Sequence, residues 1–161
     1  MPDFFSNAFL NLEALVTTLA VSMVPVIELR GAIPIGTAMG LNPWLAFIAA
    51  VLGNMVPVPF IILLIRQIFA WLKVHSRHLG RLVLALENKA HNKSALVIKY
   101  RAIGLCLLVA VPLPGTGAWT GALVAALLDI PLKSAVPTIL LGVIIAGLII
   151  TGLTCGVITI F

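Results

Sequence analysis

The amino-acid sequence predicts an all-α integral membrane protein: two inverted repeats, each a re-entrant helical hairpin plus one transmembrane helix, joined by a cytoplasmic amphipathic helical segment. Three observations carry this. The 161-residue chain is 61% hydrophobic and 9% charged, with a mean hydropathy of +1.20, whereas about a quarter of the residues of a soluble domain are charged. Its apolar runs come in two lengths, some reaching the roughly 20 helical residues that cross a bilayer core and others well short of it. The order of runs and breakers in the first half recurs in the second, offset by roughly 87–89 residues.

At this length one membrane domain, 1–161, is expected, divided into repeat one (8–66), a linker (67–98) and repeat two (99–161). The first run, about Ala8 to Ile27, is long enough to cross, and the next, Glu28 to Gly40, is too short. The turn signal Leu41-Asn42-Pro43 follows, then a full span from Trp44 to Ile65. In the second half a short run, about Ala102 to Leu113, leads through Pro114-Gly115-Thr116-Gly117 to another short run, Ala118 to Leu128. The turn at Asp129-Ile130-Pro131 precedes a full span, about Val136 to Phe161. Val24-Pro25 aligns with Val111-Pro112, and Gly53 with Gly142. Short hydrophobic segments interrupted at corresponding places in two halves point to a transporter site.

Charge fixes the topology. Eight of the ten basic residues lie between Arg66 and Arg101. If each pair of runs dips into the bilayer and returns, both spans cross in opposite senses and every basic residue except Arg30 falls on one face. That face is the cytoplasmic one, and the membrane is the plasma membrane. The formal net charge of +5 is thereby a loop property, not a nucleic-acid footprint. A competing arrangement, in which the first run crosses fully, asks Glu28–Gly40 to span with about 13 residues. Between Arg66 and about Ile98, Ile68, Leu72, Leu79, Leu82, Val83 and Leu86 recur at helical spacing among basic residues. This predicts a helix or helix pair held on anionic headgroups.

The candidate site lies where charge enters the apolar part. Glu28 and Arg30 each cost about 2.5–3.5 kcal/mol in mid-membrane, and residues at i and i+2 face different sides of a helix. Either the backbone unwinds here, as Pro25 and Gly31 allow, or each side chain reaches its own partner. Each hairpin tip also starts a short helix, whose free N–H groups favour an anion. One such start lies near Gly31 and Pro34; the other lies at Pro114, Gly115, Thr116 and Gly117. The substrate-binding candidates are these residues with Glu28, Arg30, Asn54 and Trp119, and Glu28 is also the proton-coupling candidate. Asn54, ahead of Pro57 and Pro59, is either a kinked polar wall of the cavity or packing glue; Trp119 either contacts substrate or fills the hairpin core. Gly152 and Gly156 form a GxxxG pattern suited to close helix contact between protomers.

The residues "ELRGAIPIG" with "VPLPGTGAWTGAL" resemble the small multi-drug export protein family across nearly the whole chain. The layout also resembles the broader DedA, or VTT-domain, superfamily. That second resemblance implies lipid movement, including that of polyprenyl-phosphate carriers, with an acidic residue and arginines at the tips. Glu28 and Arg30 match its first polar tip, while the second tip has no charge where the DedA pattern has an arginine. The resulting expectation is a secondary, proton-coupled transporter of an anionic or amphipathic substrate. The alternatives are an exporter of small hydrophobic drugs and a non-transporting scaffold. The expected partners are membrane lipids, a small-molecule or lipid substrate and a second copy of the chain in a homodimer, with no nucleic acid. No enzyme is expected, since the spans hold no nucleophile–base pair. No cofactor or metal is expected either: His75 and His78 lack companions, and Cys106 and Cys155 read as free thiols.

Overall fold

The computed structural model describes residues 2–75, 95–113 and 115–160, with side chains over 11–71, 100–113 and 115–156. Every regular element among them is helical: α1 (Pro2–Met23), α2 (Glu28–Ala38), α3 (Pro43–Met55), α4 (Pro57–His75), α5 (Ala95–Ala110), α6 (Ala118–Leu127) and α7 (Leu132–Ile160). The short and long runs of the sequence are thus short and long helices. Among the residues whose side chains are described, two stretches, Pro43–Trp71 and Leu132–Gly156, are long and apolar enough to cross a membrane. The first is broken at Val56, because Pro57 and Pro59 have no N–H for the carbonyls of Gly53 and Met55. The Val56 N–H instead reaches both Leu52 and Gly53 O at 3.3 Å. Several boundaries differ from those expected: α1 ends at Met23 rather than Ile27, and α5 starts at Ala95 rather than about Ala102. Helix α1 runs unbroken from Pro2, and α4 carries the first span on to His75, nine residues past Arg66. Most of the expected amphipathic linker lies outside the described residues.

The burial pattern inverts that of a soluble protein. The core is rich in alanine (Ala32, Ala46, Ala50, Ala118, Ala122, Ala125 and Ala135 are all 0% exposed), while Trp44, Leu52, Phe60, Leu64, Leu107, Leu141 and Leu153 face outward. Small residues inside let helix axes approach closely, and large apolar residues outside suit hydrocarbon.

Helix α1 packs on α2 and α3, and α5 packs on α6 and α7. The short helices also cross over: α2 lies against α7, and α6 against α4. Details recur 87–89 residues apart. Leu41 N donates to Gly36 O at 3.0 Å, and Ile130 N to Ala125 O at 2.9 Å. Gly53 packs against the carbonyl of Leu19 on α1, and Gly142 against the carbonyl of Cys106 on α5. The buried face of α2 is Leu29, Ala32, Ile33 and Gly36; that of α6 includes Ala118, Gly121, Ala122 and Ala125.

One end of the bundle is held by basic side chains. Arg66 Nη2 donates to Ile130 O at 2.5 Å and lies 3.6 Å from the Asp129 carboxylate. Arg101 Nη1 reaches Leu128 O at 3.3 Å. The first and last basic residues of the Arg66–Arg101 stretch therefore both contact the α6–α7 turn.

Candidate functional site

The two inter-helix tips contact each other. The first is Val24–Ile27, between α1 and α2; the second is the link from α5 to α6, from Val111 to Gly117. Both turn through left-handed backbone at corresponding places: Val26 (φ 80°) with Gly115 (φ 85°), and Glu28 (φ 49°) with Gly117 (φ 146°). Left-handed backbone is uncommon for any side-chain-bearing residue, and a β-branched valine there is a strained outlier.

Glu28 and Arg30 do not bond to each other; each reaches the second tip. The Glu28 side chain is buried, 4% exposed, and its Oε1 accepts from Trp119 N at 3.2 Å. Trp119 is the second residue of α6, whose own N-cap, Gly117, has no side chain to offer. Glu28 is therefore the N-cap of α6 supplied from the other hairpin, a carboxylate at the positive end of a helix dipole. The approach is close enough that a Cβ on Gly117 would overlap the carboxylate.

Arg30 takes the other side of the break. Its Nη1 donates to Leu113 O, and its Nη2 to Thr116 Oγ1 at 2.8 Å and to Val111 O at 3.4 Å. Those carbonyls follow the C-terminus of α5, the negative end of that helix. Thr116 Oγ1 lies 2.8 Å from both Val111 O and Leu113 O, so it ties the same loop together. The first tip thus sets its anion on the start of α6 and its cation on the exit of α5. Trp119 completes the junction: its Nε1 donates to Met23 O, the end of α1, at 3.2 Å.

Three cavities surround this junction. One of about 230 Å³ is lined by Glu28, Pro25, Val26, Thr116, Trp119 and Thr120 among others. A second, of about 410 Å³, lies between α2 and the end of α7 and is lined by Arg30, Pro34, Thr37, Ile150, Leu153 and Thr154. A third, of about 520 Å³, lies between α4 and α6 and includes Ile61, Leu64 and Trp119. The second and third correspond at the 89-residue offset: Arg30 with Trp119, Ile150 with Ile61, Leu153 with Leu64.

Of the residues singled out in the sequence, Glu28, Arg30, Pro34, Gly115, Thr116, Gly117 and Trp119 are brought together here. Gly31 lies on the inner side of the first tip, where a Cβ would come 2.5 Å from Ile27. Asn54 is elsewhere, fully buried in α3 and lining none of these cavities. Pro114 lies outside the described residues. The start of α6 is not an open anion site, since its amide is engaged by Glu28. Sequence reading missed the carbonyls of Met23, Val111 and Leu113, which carry no residue-type signal, and the Thr37–Thr154 wall, which comes from helices far apart in the chain. The described residues hold no group of three or more His, Cys, Asp or Glu suited to a metal.

Residues 28–149 match the family described as small multi-drug export proteins. No curated protein and no solved structure matches the chain.

Proposed function

Because the chain belongs to the small multi-drug export protein family, whose name describes export, we propose that it is a proton-coupled secondary transporter of an amphipathic anion. On this reading α1–α2 and α5–α6 are re-entrant hairpins of two inverted repeats. The end bearing Arg66 and Arg101 faces the cytoplasm, and the 410 and 520 Å³ cavities are the two half-pathways. The recurrence of bonds, positive φ angles and cavity-lining positions at an 89-residue offset supports this, as does the crossed packing of α2 on α7 and α6 on α4.

The observation that carries the reading is the Glu28 carboxylate seated on the start of α6. It occupies the place an anionic substrate would take. Protonating Glu28 removes its charge, weakens its hold on the Trp119 amide and frees the positive helix end. An anionic head group can then bind there beside Arg30, with its tail in the apolar cavity. Proton and anion therefore bind together and move in the same direction, so on this reading export runs down the anion's own gradient and carries a proton out with it. The second reading, an exporter of small hydrophobic cations, is favoured by one fact: Glu28 and Trp119 line the same 230 Å³ cavity, and an aromatic face beside a carboxylate suits a cation. Proton and substrate would then compete for Glu28 and move in opposite directions.

The test is flux in proteoliposomes under an imposed proton gradient, with panels of amphipathic phosphates and of lipophilic cations. Glu28→Gln, which mimics the protonated state in charge, is expected to uncouple transport from the gradient. Arg30→Ala is expected to abolish anion flux. Cation flux driven by an opposing gradient and unaffected by Arg30→Ala would establish the second reading. No flux of either panel would overturn both.

A further inference from the structure

Asn54 is fully buried, and neither its Oδ1 nor its Nδ2 has a hydrogen-bond partner among the protein atoms. An amide in that condition is costly, because both a donor and an acceptor have left bulk water with no protein group in its place. Packing does not demand it: the corresponding residue 89 positions on is Val143, also 0% exposed. The two positions differ in their helices. Val143 sits in α7, continuous from Leu132 to Ile160, whereas Asn54 lies in the last turn of α3, beside the break at Val56. There Pro57 and Pro59 leave the Gly53 and Met55 carbonyls without their usual donors. The two sides of the break belong to different neighbours. Gly53 is pressed against Leu19 O and Ser22 Oγ of α1, so α3 is fixed to the first hairpin, whereas α4 packs chiefly on α6 of the second.

We infer that Asn54 is a water-binding site that opens in a second conformation of this chain, with the α3–α4 break as the joint. Moving α4 with α6 away from α3 would admit water to an amide that can both donate and accept, and to the carbonyls beside it. A molecule that does both jobs suits this pair of atoms better than a bare ion of either sign. The amide then has a conformational use: its poor state in the closed form lowers the cost of opening, and an apolar residue at the same place removes that bias.

Hydrogen–deuterium exchange of the protein in lipid nanodiscs tests this without knowledge of the substrate. In the unmodified chain, 52–60 is expected to exchange faster than its counterpart 141–149. Asn54→Val, which puts there the apolar residue that its counterpart Val143 already carries in a fully buried place, is expected to raise Tm by a few degrees and to slow exchange across 52–60 about tenfold, since the opened state loses its advantage. Equal exchange of the two segments in the unmodified chain overturns the proposal whatever the variant does. A variant with lowered Tm, or one that fails to fold, shows that the amide is bonded in the closed form and likewise overturns it. A raised Tm with unchanged exchange means that the amide is costly but not part of an opening, which also counts against it.

Discussion

Gly117→Ala is the sharpest probe of the tip-to-tip contact. Two costs can be worked from the structure. Gly117 has φ 146° and ψ −165°, a region essentially confined to glycine, so a side chain there costs about 1–3 kcal/mol. The new Cβ would also fall on the Glu28 carboxylate, which must leave the Trp119 amide; losing a helix N-cap costs about 1 kcal/mol. Together they give about 2–4 kcal/mol. For a chain of this size each kcal/mol moves Tm by about 2–4 °C, so a fall of roughly 5–15 °C is expected in a thermal melt in nanodiscs. Two comparisons separate the causes. Gly104→Ala, where nothing lies within 4 Å of the added atom, should be neutral or slightly stabilising, as alanine is the better helix former. In a Glu28→Ala background the cap is already gone, so Gly117→Ala should there cost only its backbone part, about 1 kcal/mol less than alone. An unchanged Tm for Gly117→Ala, or strict additivity with Glu28→Ala, would refute the account of Glu28 as the cap of α6.

Arg30→Lys should not restore what Arg30→Ala loses, about 2 kcal/mol in the same melt, because one ammonium cannot reproduce a planar fork shared among Leu113 O, Val111 O and Thr116 Oγ1. Gly53→Ala and Gly142→Ala should be destabilising to a similar degree, about 1–3 kcal/mol each, since both press a methyl against a carbonyl of another helix, that of Leu19 on α1 and that of Cys106 on α5. A large difference between them would argue against equivalence of the two helix crossings.

Much of the architecture was readable because apolar run length is a strong signal in a chain that is 61% hydrophobic. The short runs at Glu28–Gly40 and Ala118–Leu128 became α2 and α6 within two residues at either end. Pro57 and Pro59 signal the break at Val56, but within one apolar run from Trp44 to Ile65 such prolines read as a kink in a single span. The outward extent of α1 and α4 was not readable, since a polar residue at the end of a helix looks the same whether the helix stops there or projects into water. At the site, Glu28 and Arg30 identified themselves by their cost in an apolar setting. What they touch could not be read, because their partners are backbone groups, and a sequence records no donor or acceptor that every residue shares.

The uncharged second tip follows from the geometry of the contact. Glu28 and Gly117 occupy corresponding places in the two halves, and they lie against each other. Two positions related in that way cannot both carry a carboxylate: the second would fall into the space of the first, and like charges would meet in a medium of low dielectric. Two residues on, Arg30 corresponds to Trp119, whose amide Glu28 caps. A tip with charges therefore demands a partner tip with glycine and exposed amides. The second hairpin complements the first, with a helix start for the anion and a run of carbonyls for the cation. Half of the polar site is contributed by side chains and half by main chain, and only the first half has letters in the sequence.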